Sequence, residues 1–285
     1  MPSLLFGGEE NMISDCRKLK KSSLYVREWI KLQPPVKEES VTDWLLFNVS
    51  RNIKGITYRA FSRHEEARKT GADWEWWFLF PTFSAKMRIQ AKKLIPNKDN
   101  YPSIAYTNIY GLQIEKLLRD SGDKNFMPFY AFYTSIRGDV MCGRGINDEG
   151  VYLSGGNYIY QEFIQNGKRE VLPDDILRIS VPLSCFLCCP WCYQGGEGFV
   201  RFLSSYFSLE IEYPPDRERP GAESEDLRGI YREVPSYVSS FIEIGREALP
   251  EGWEREFRHY LEGVNSMVVY DAMDIDLNRA SEGAL

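Results

Sequence analysis

Apolar positions along this chain alternate between helical and strand spacing, in an order that is legible from residue 12 to about residue 135. Residues 12–31 predict an amphipathic helix that stops at Pro34 and Pro35, because proline lacks the amide donor and its ring clashes with the preceding turn. A second helix is predicted over Glu38–Ser50, where Val41, Leu45, Leu46 and Val49 recur at helical spacing. Strands are predicted at Ile56–Arg63, Asp73–Phe80 and Lys86–Leu94, and a loop over Pro96–Pro102. Residues 107–119 predict a helix with Ile109, Leu112, Ile114, Leu117 and Leu118 as its apolar positions, ended with the help of Gly122. The aromatic run Phe126–Ser135 predicts a further strand.

After Gly138 the pattern is less regular. Glycine-rich turns and four closely spaced cysteines fill residues 138–200. Tyr213–Asp226 reads as an exposed, mobile, proline-rich loop, Val234–Ala248 as a helix, Val264–Tyr270 as a last strand, and the tail from Asp274 as frayed. Nothing marks a boundary, so the expectation is a single elaborated α/β domain over residues 1–285. Its core lies at about 36–135, and residues 136–285 add strands, the cysteine-rich segment and a C-terminal helix.

Composition narrows the class. With 43% hydrophobic residues the chain can bury a core, so wholesale disorder is not expected. No run of eighteen apolar residues predicts a membrane span, and the N-terminus has no basic region leading an apolar one, which predicts a cytoplasmic protein. The net charge of −6 argues against a passive DNA-coating protein, yet leaves room for acidic metal ligands beside a local basic surface. The clearest basic cluster, Arg17–Lys21, reads as a solvated helix face. His64 and His259 are the only histidines, too few for a His-rich metal site and unfavourable for a Ser-His or Cys-His hydrolase.

The candidate chemistry lies on two successive strands. Alternation places Asp73, Glu75, Trp77 and Leu79 on one face, and Trp74, Trp76, Phe78 and Phe80 on the other, which is the obvious packing face. On the next strand Arg88, Gln90 and Lys92 share a face. If the two strands pair as a hairpin, Asp73, Glu75, Gln90 and Lys92 converge. Carboxylate and amide oxygens suit Mg²⁺ or Mn²⁺, and a metal with a nearby lysine suits phosphodiester hydrolysis. A further acid can come from the preceding helix. Glu38 lies on its inward stripe with Val41, Thr42 and Leu45, while Glu39 shares a stripe with Thr42 and Leu46, and Glu38 is preferred.

The order helix–strand–strand–strand–helix–strand, with Glu38, Gly71-Ala72-Asp73 and Gln90-Ala91-Lys92, resembles the PD-(D/E)XK nuclease superfamily. The Gln-x-Lys form looks like Mrr-type restriction endonucleases and related antiphage effector nucleases. The resemblance covers about residues 36–135. It implies a restriction-endonuclease-like α/β fold with a mixed central sheet and divalent-metal cleavage of DNA, plausible for a bacterial restriction or antiviral defence effector. Asp73 matches the central acid, Gln90 the ligand of the third motif and Lys92 its lysine. Catalytic roles then fall to Lys92, Asp73, Gln90 and Glu38, and metal ligation to Asp73, Gln90, Glu38 and Glu75. Gln90 replaces the commoner acid and brings one charge less, and no proline precedes Asp73. A homodimer or larger complex is expected because double-strand cutting needs two sites, and a regulatory protein partner is compatible. No membrane partner is expected.

Neighbouring residues leave alternatives open. Glu66, in His64-Glu65-Glu66, is either an extra ligand or part of an exposed charged turn, the second being preferred. Lys93 is expected to point away from the site with its stem reaching outward. Gln113 either contacts the site or DNA backbone or lies on the surface. Trp74 and Trp76 are expected in the core, and Trp77 is ambiguous between packing and base stacking.

Cys185, Cys188, Cys189 and Cys192 are expected as reduced thiols. Their abutting pairs do not match the wider spacing of structural zinc sites, and Trp191 breaks the iron–sulfur run. Pro190 disturbs the helix that their spacing would otherwise suit. Buried packing is preferred over zinc, and zinc over a redox role. Two rival functions stand beside the nuclease: a catalytically silent protein of the same fold acting as a binding or assembly module, and a zinc-stabilised interaction protein.

Overall fold

The computed structural model describes residues 7–61, 70–94, 102–168, 171–207, 229–231, 233–245 and 247–273. The expected turn at His64–Glu66, the loop over 96–101 and the whole loop over 213–226 lie outside these residues, as does the tail from Asp274.

The chain opens with helices α1 (Gly7–Leu32) and α2 (Glu38–Asn52), separated by the Pro34–Pro35 break. Strands β1 (Ile56–Ala60), β2 (Trp74–Leu79) and β3 (Ser84–Leu94) follow, then a two-stranded hairpin of β4 (Thr107–Asn108) and β5 (Gly111–Leu112). Helix α3 (Gln113–Asp123) leads to β6 (Met127–Thr134) and β7 (Val151–Gly155). Next come the short helices α4 (Gly156–Ile159) and α5 (Pro173–Arg178), β8 (Val181–Pro182), α6 (Cys185–Cys188) and α7 (Gly195–Phe207). Strand β9 (Ile230–Tyr231), helix α8 (Ser236–Ile244), short turns of helix at Trp253–Glu256 and Arg258–Leu261, and β10 (Ser266–Asp271) complete the described chain.

The strands form one mixed sheet in the order β1-β10-β2-β3-β6-β7-β8, with β9 pairing beside the start of β3. The expected hairpin exists: β2 and β3 run antiparallel with Trp74 opposite Ile89 and Glu75 opposite Arg88. Strands β3 and β6 run parallel, with Gln90 beside Tyr130 and Lys92 beside Phe132. Strand β1 does not continue that meander. The C-terminal strand β10 inserts between β1 and β2, antiparallel to the first and parallel to the second.

Every residue of β2 and β6 is buried, which is what a sheet covered on both faces requires of its central strands. One face carries Trp74, Trp76, Phe78, Met87, Ile89, Phe129 and Tyr133 against apolar residues of α1, α2, α6 and α7, such as Val26, Leu45, Phe186 and Phe199. The other face carries two smaller clusters. Tyr130 and Phe132 pack with Ile114 and Leu117 of α3, and Trp77 and Leu79 pack with Tyr237, Val238 and Phe241 of α8. Trp77 is therefore a core residue like Trp74 and Trp76.

The segment 107–119 departs from the helix its spacing predicts. Its first part is the hairpin, where the Asn108 side chain accepts from the Tyr110 amide at 2.9 Å and closes a local turn. The helix begins at Gln113 and runs past Gly122 to Asp123. The shift matters because it puts Gln113 at the first helical position, beside the end of β3.

Candidate functional site

The site forms where β3 outlasts its partner. Pairing with β2 ends at Trp74 opposite Ile89, and the Asp73 amide makes one more bond to the Ile89 carbonyl at 2.8 Å. Alternate amides along a strand point to the same edge, so Ala91 and Lys93 present the next two N–H groups on the edge that β2 has left. Each is taken by a carboxylate. Asp73 Oδ2 accepts from Ala91 N at 2.7 Å, and Glu38 Oε2 accepts from Lys93 N at 2.6 Å. A buried amide left unmatched would cost about 1–3 kcal/mol, and the charged acceptors remove that penalty. Two acids remote in sequence are thus set along one strand edge, on amides about 6.6 Å apart by strand rise.

Gln90 and Lys92 project from the same stretch of β3 on the face that carries Tyr130 and Phe132. Gln90 Nε2 reaches Asp73 Oδ2 at 2.5 Å and the Ala91 carbonyl at 2.9 Å. Gln90 Oε1 accepts from Gln113 Nε2 at 2.6 Å. Lys92 is nearly buried, and its amine lies 5.8 Å from the ring centre of Tyr106. Lys93 points away, as alternation demands, and its amine donates to the Pro34 and Val36 carbonyls in the break before α2. That contact and the Glu38 bond fix the start of α2 against β3.

Electrostatics tie the set together. Burial raises the proton affinity of Glu38 to a pKa of about 7; the Lys92 amine opposes the rise, the Asp73 charge adds to it and the Lys93 amide opposes it. The phenols of Tyr130 and Tyr133 are pushed up mainly by burial, and the charges of Asp73 and Glu38 add to the effect. Glu38, Asp73, Gln90 and Lys92 therefore share one neighbourhood. Glu39 is exposed.

Glu75 sits elsewhere on the same face. It is fully buried, accepting from Trp77 Nε1 and the Tyr237 hydroxyl at 2.5 Å each, with Arg88 Nη2 at 3.8 Å. Arg88 in turn pairs with Asp120 of α3. Buried charges persist only when paired and hydrogen-bonded. This set anchors α3 and α8 to the sheet, and places Glu75 in a network of its own rather than beside Gln90 and Lys92. The expectation that both acids of β2 are available together did not anticipate α8, whose Tyr237 covers that part of the face.

Three contributors were not singled out as site residues from the sequence. Tyr130 is flagged only by its register beside Gln90, Tyr106 by the hairpin, and Tyr133 by its hydrogen bond to Thr42 of α2 at 2.9 Å. Gln113 was weighed as a contact or a surface residue, and it touches Gln90 directly.

The donor set suits a hard divalent cation. Asp73 and Glu38 offer carboxylate oxygens, and Gln90 and Gln113 amides can exchange oxygen and nitrogen by a half-turn of the terminal bond. Two buried polar atoms beside the set, Gln113 Oε1 and the Tyr130 hydroxyl, have no hydrogen-bond partner, which leaves spare polar capacity there. Among the described residues no three His, Cys, Asp or Glu side chains gather as a metal cage. A cation here would have two carboxylates and complete its shell with amide, water and substrate oxygens.

The family model for DUF6615, a family of unknown function, matches residues 15–273. The chain belongs to DUF6615. That match spans α1 to the end of β10 and includes Glu38, Asp73, Gln90 and Lys92. No curated protein matches the chain. Among the described residues of this DUF6615 chain, no helix is long and apolar enough to cross a membrane.

Proposed function

We propose that this DUF6615 chain is a divalent-metal-dependent endonuclease of the restriction-endonuclease-like kind, acting on DNA. One observation carries the reading: two acids remote in sequence, Glu38 and Asp73, cap the alternate amides of Ala91 and Lys93 on one edge at the end of the strand that also bears Gln90 and Lys92. Capping buried amides accounts for the two carboxylates by itself; Gln90 and Lys92 beside them are the polar groups that capping does not require.

On this reading Asp73, Glu38 and the Gln90 carboxamide would hold Mg²⁺ or Mn²⁺. Bound there, the ion would polarise the phosphate and lower the pKa of a water. The chain's own groups supply the rest. Lys92 offers a fixed cation to the phosphate oxygen on which charge builds during attack. Gln113 holds the Gln90 carboxamide in place, and the exposed ring of Tyr106 lies beside the Lys92 amine. Glu75 is not part of this set. Cutting both strands needs two such sites, so a homodimer belongs to the proposal.

The direct contact between Gln90 Nε2 and Asp73 favours one alternative, a silent site in which the amide nitrogen replaces the cation and the region serves assembly. Titrating Mn²⁺ into the protein separates the two readings. Saturable binding that Asp73→Asn abolishes, with EDTA-sensitive nicking of supercoiled DNA by the wild type, supports the nuclease. Absence of both favours the silent module.

A further inference from the structure

The six cysteines, scattered over 177 positions of sequence from Cys16 to Cys192, collect around one helix of four residues. Cys188, at the end of α6, is joined to Cys16 of α1 in a disulfide with the Cα atoms 5.0 Å apart. Cys188 was expected as a reduced thiol, and the disulfide corrects that expectation. The bond follows from α1 packing on α6, which brings two segments separated by 172 residues side by side. Cys185 opens the same helix, and its thiol donates to Cys142 Sγ at 3.6 Å. Cys192 Sγ lies 3.6 Å from the Cys185 carbonyl. Cys185, Cys188, Cys189 and Cys192 are all buried, and Cys142 alone among the free thiols is partly exposed.

We propose that Cys142 and Cys185 are an oxidisable pair, a modification site at which a hydroperoxide turns two thiols into a second disulfide anchored on α6. The pairing has three geometric supports. The sulfurs already touch, and a bond needs them to close by about 1.6 Å, within reach of small side-chain rotations. Cys142 lies on the loop before β7, which is held on either side of it by Met141 N to the Ser180 carbonyl at 2.9 Å and Arg144 Nη1 to the Cys188 carbonyl at 2.9 Å. The loop therefore keeps the sulfurs together. The access is one-sided, with Cys142 towards solvent and Cys185 behind it.

The charge distribution gives the order of events. The Cys185 hydrogen bond holds the Cys142 thiol down at about 5, with smaller help from the amides of Ile146 and Arg144 and from the Arg144 charge. Cys185 is pushed up by the same contact and by burial, so the proton stays on it. The thiolate is the nucleophile, and Cys142, the partly exposed one, reacts first. Cys142 sulfur attacks one peroxide oxygen, the O–O bond breaks, and the alkoxide leaves as an alcohol after taking a proton. The resulting sulfenic acid on Cys142 is then attacked by Cys185 sulfur. The S–S bond forms as the S–O bond breaks, and the Cys185 proton leaves with the hydroxide as water. Two thiols lose two electrons, and the hydroperoxide gains them.

The product would link the loop to α6, which the Cys16–Cys188 bond already links to α1. The proposal does not depend on the nuclease reading.

The test is peptide mapping of the full chain after treatment with stoichiometric hydrogen peroxide, alkylation in denaturant and digestion without reductant. The expected result is a Cys142–Cys185 cross-linked peptide, loss of half of the four free thiols, alkylated Cys189 and Cys192, and full reversal by dithiothreitol. In Cys185→Ser, dimedone should label Cys142. Oxidation confined to Cys189 and Cys192, Cys142 ending as sulfinic acid with Cys185 still alkylated, or stoichiometric zinc that shields the thiols would each overturn the proposal.

Discussion

Gly71 offers the most exacting test of how the site is built, because it opens the Gly71-Ala72-Asp73 motif and touches the helix on the far side. Its φ is +77°, in the left-handed region, and a Cβ added there would lie 2.6 Å from the Gln113 carbonyl oxygen and 3.2 Å from Leu117 N. Two effects add in Gly71→Ala. The left-handed backbone costs an L-residue about 1–2 kcal/mol. The overlap is with helix backbone, which cannot rotate aside, and overpacking of this kind costs about 1–3 kcal/mol. The sum is about 2–5 kcal/mol, against a total stability of about 5–15 kcal/mol for a folded domain. Relief requires α3 to retreat by about 0.8 Å to reach ordinary contact, and that retreat carries Gln113 away from Gln90. Gly167 is the control. Its φ of +73° matches, and a Cβ there meets nothing within 4 Å. Gly167→Ala should therefore show only the backbone part, about 1–2 kcal/mol. Urea unfolding of the two variants isolates the contact between strand and helix. Equal losses, within about 0.5 kcal/mol, would refute the claim that α3 is packed tightly enough on Gly71 to position Gln113.

Three further outcomes follow from the same structure. Glu149 is fully buried against Ser184, and burial raises its pKa from 4.5 to about 7. The folded state holds that proton more tightly than the unfolded state, so the stability it contributes is full below 4.5 and is lost as pH rises through 7, by about 3 kcal/mol at most. Unfolding curves at pH 5 and pH 8 should diverge between wild type and Glu149→Gln, with the wild type losing more, and parallel profiles would contradict this. Gln113→Ala should weaken Mn²⁺ binding by about tenfold or more, as loss of a residue that orients a ligand does, with little change in melting temperature; calorimetric titration reads it. Arg88→Met should destabilise by about 3–5 kcal/mol, because Glu75 would keep a fully buried charge without its guanidinium while Asp120 falls back on Lys124, whereas Arg88→Met with Glu75→Gln should recover part of the loss in the same denaturant assay.

The placement of the strand residues was legible because it is local. A period of two with charges on one face sets Asp73 against Gln90 once β2 and β3 pair, and Trp74, Trp76 and Phe78 mark the covered face without help from distant residues. The inward position of Glu38 followed from one helical stripe. What stayed hidden came from segments far away in sequence. No pattern near β1 announces that β10 will separate it from β2, and nothing near Glu75 announces Tyr237, 162 positions on. The hairpin over 107–112 was misread because Ile109 and Leu112 fit a helical spacing by accident, and Ile109 is 89% exposed. The Cys16–Cys188 bond depends on how α1 lies against α6, which periodicity does not encode.

The central claim concerns Lys92 and the acids that surround it. The most direct measurement is the rate at which wild type and Lys92→Ala nick supercoiled DNA in Mg²⁺ or Mn²⁺, with circular dichroism and melting curves showing both to be folded. The account predicts metal-dependent nicking by the wild type and a loss of at least about 10²-fold in the variant, the scale of removing one fixed donor to a developing charge. Equal metal-dependent rates in two folded proteins would contradict it.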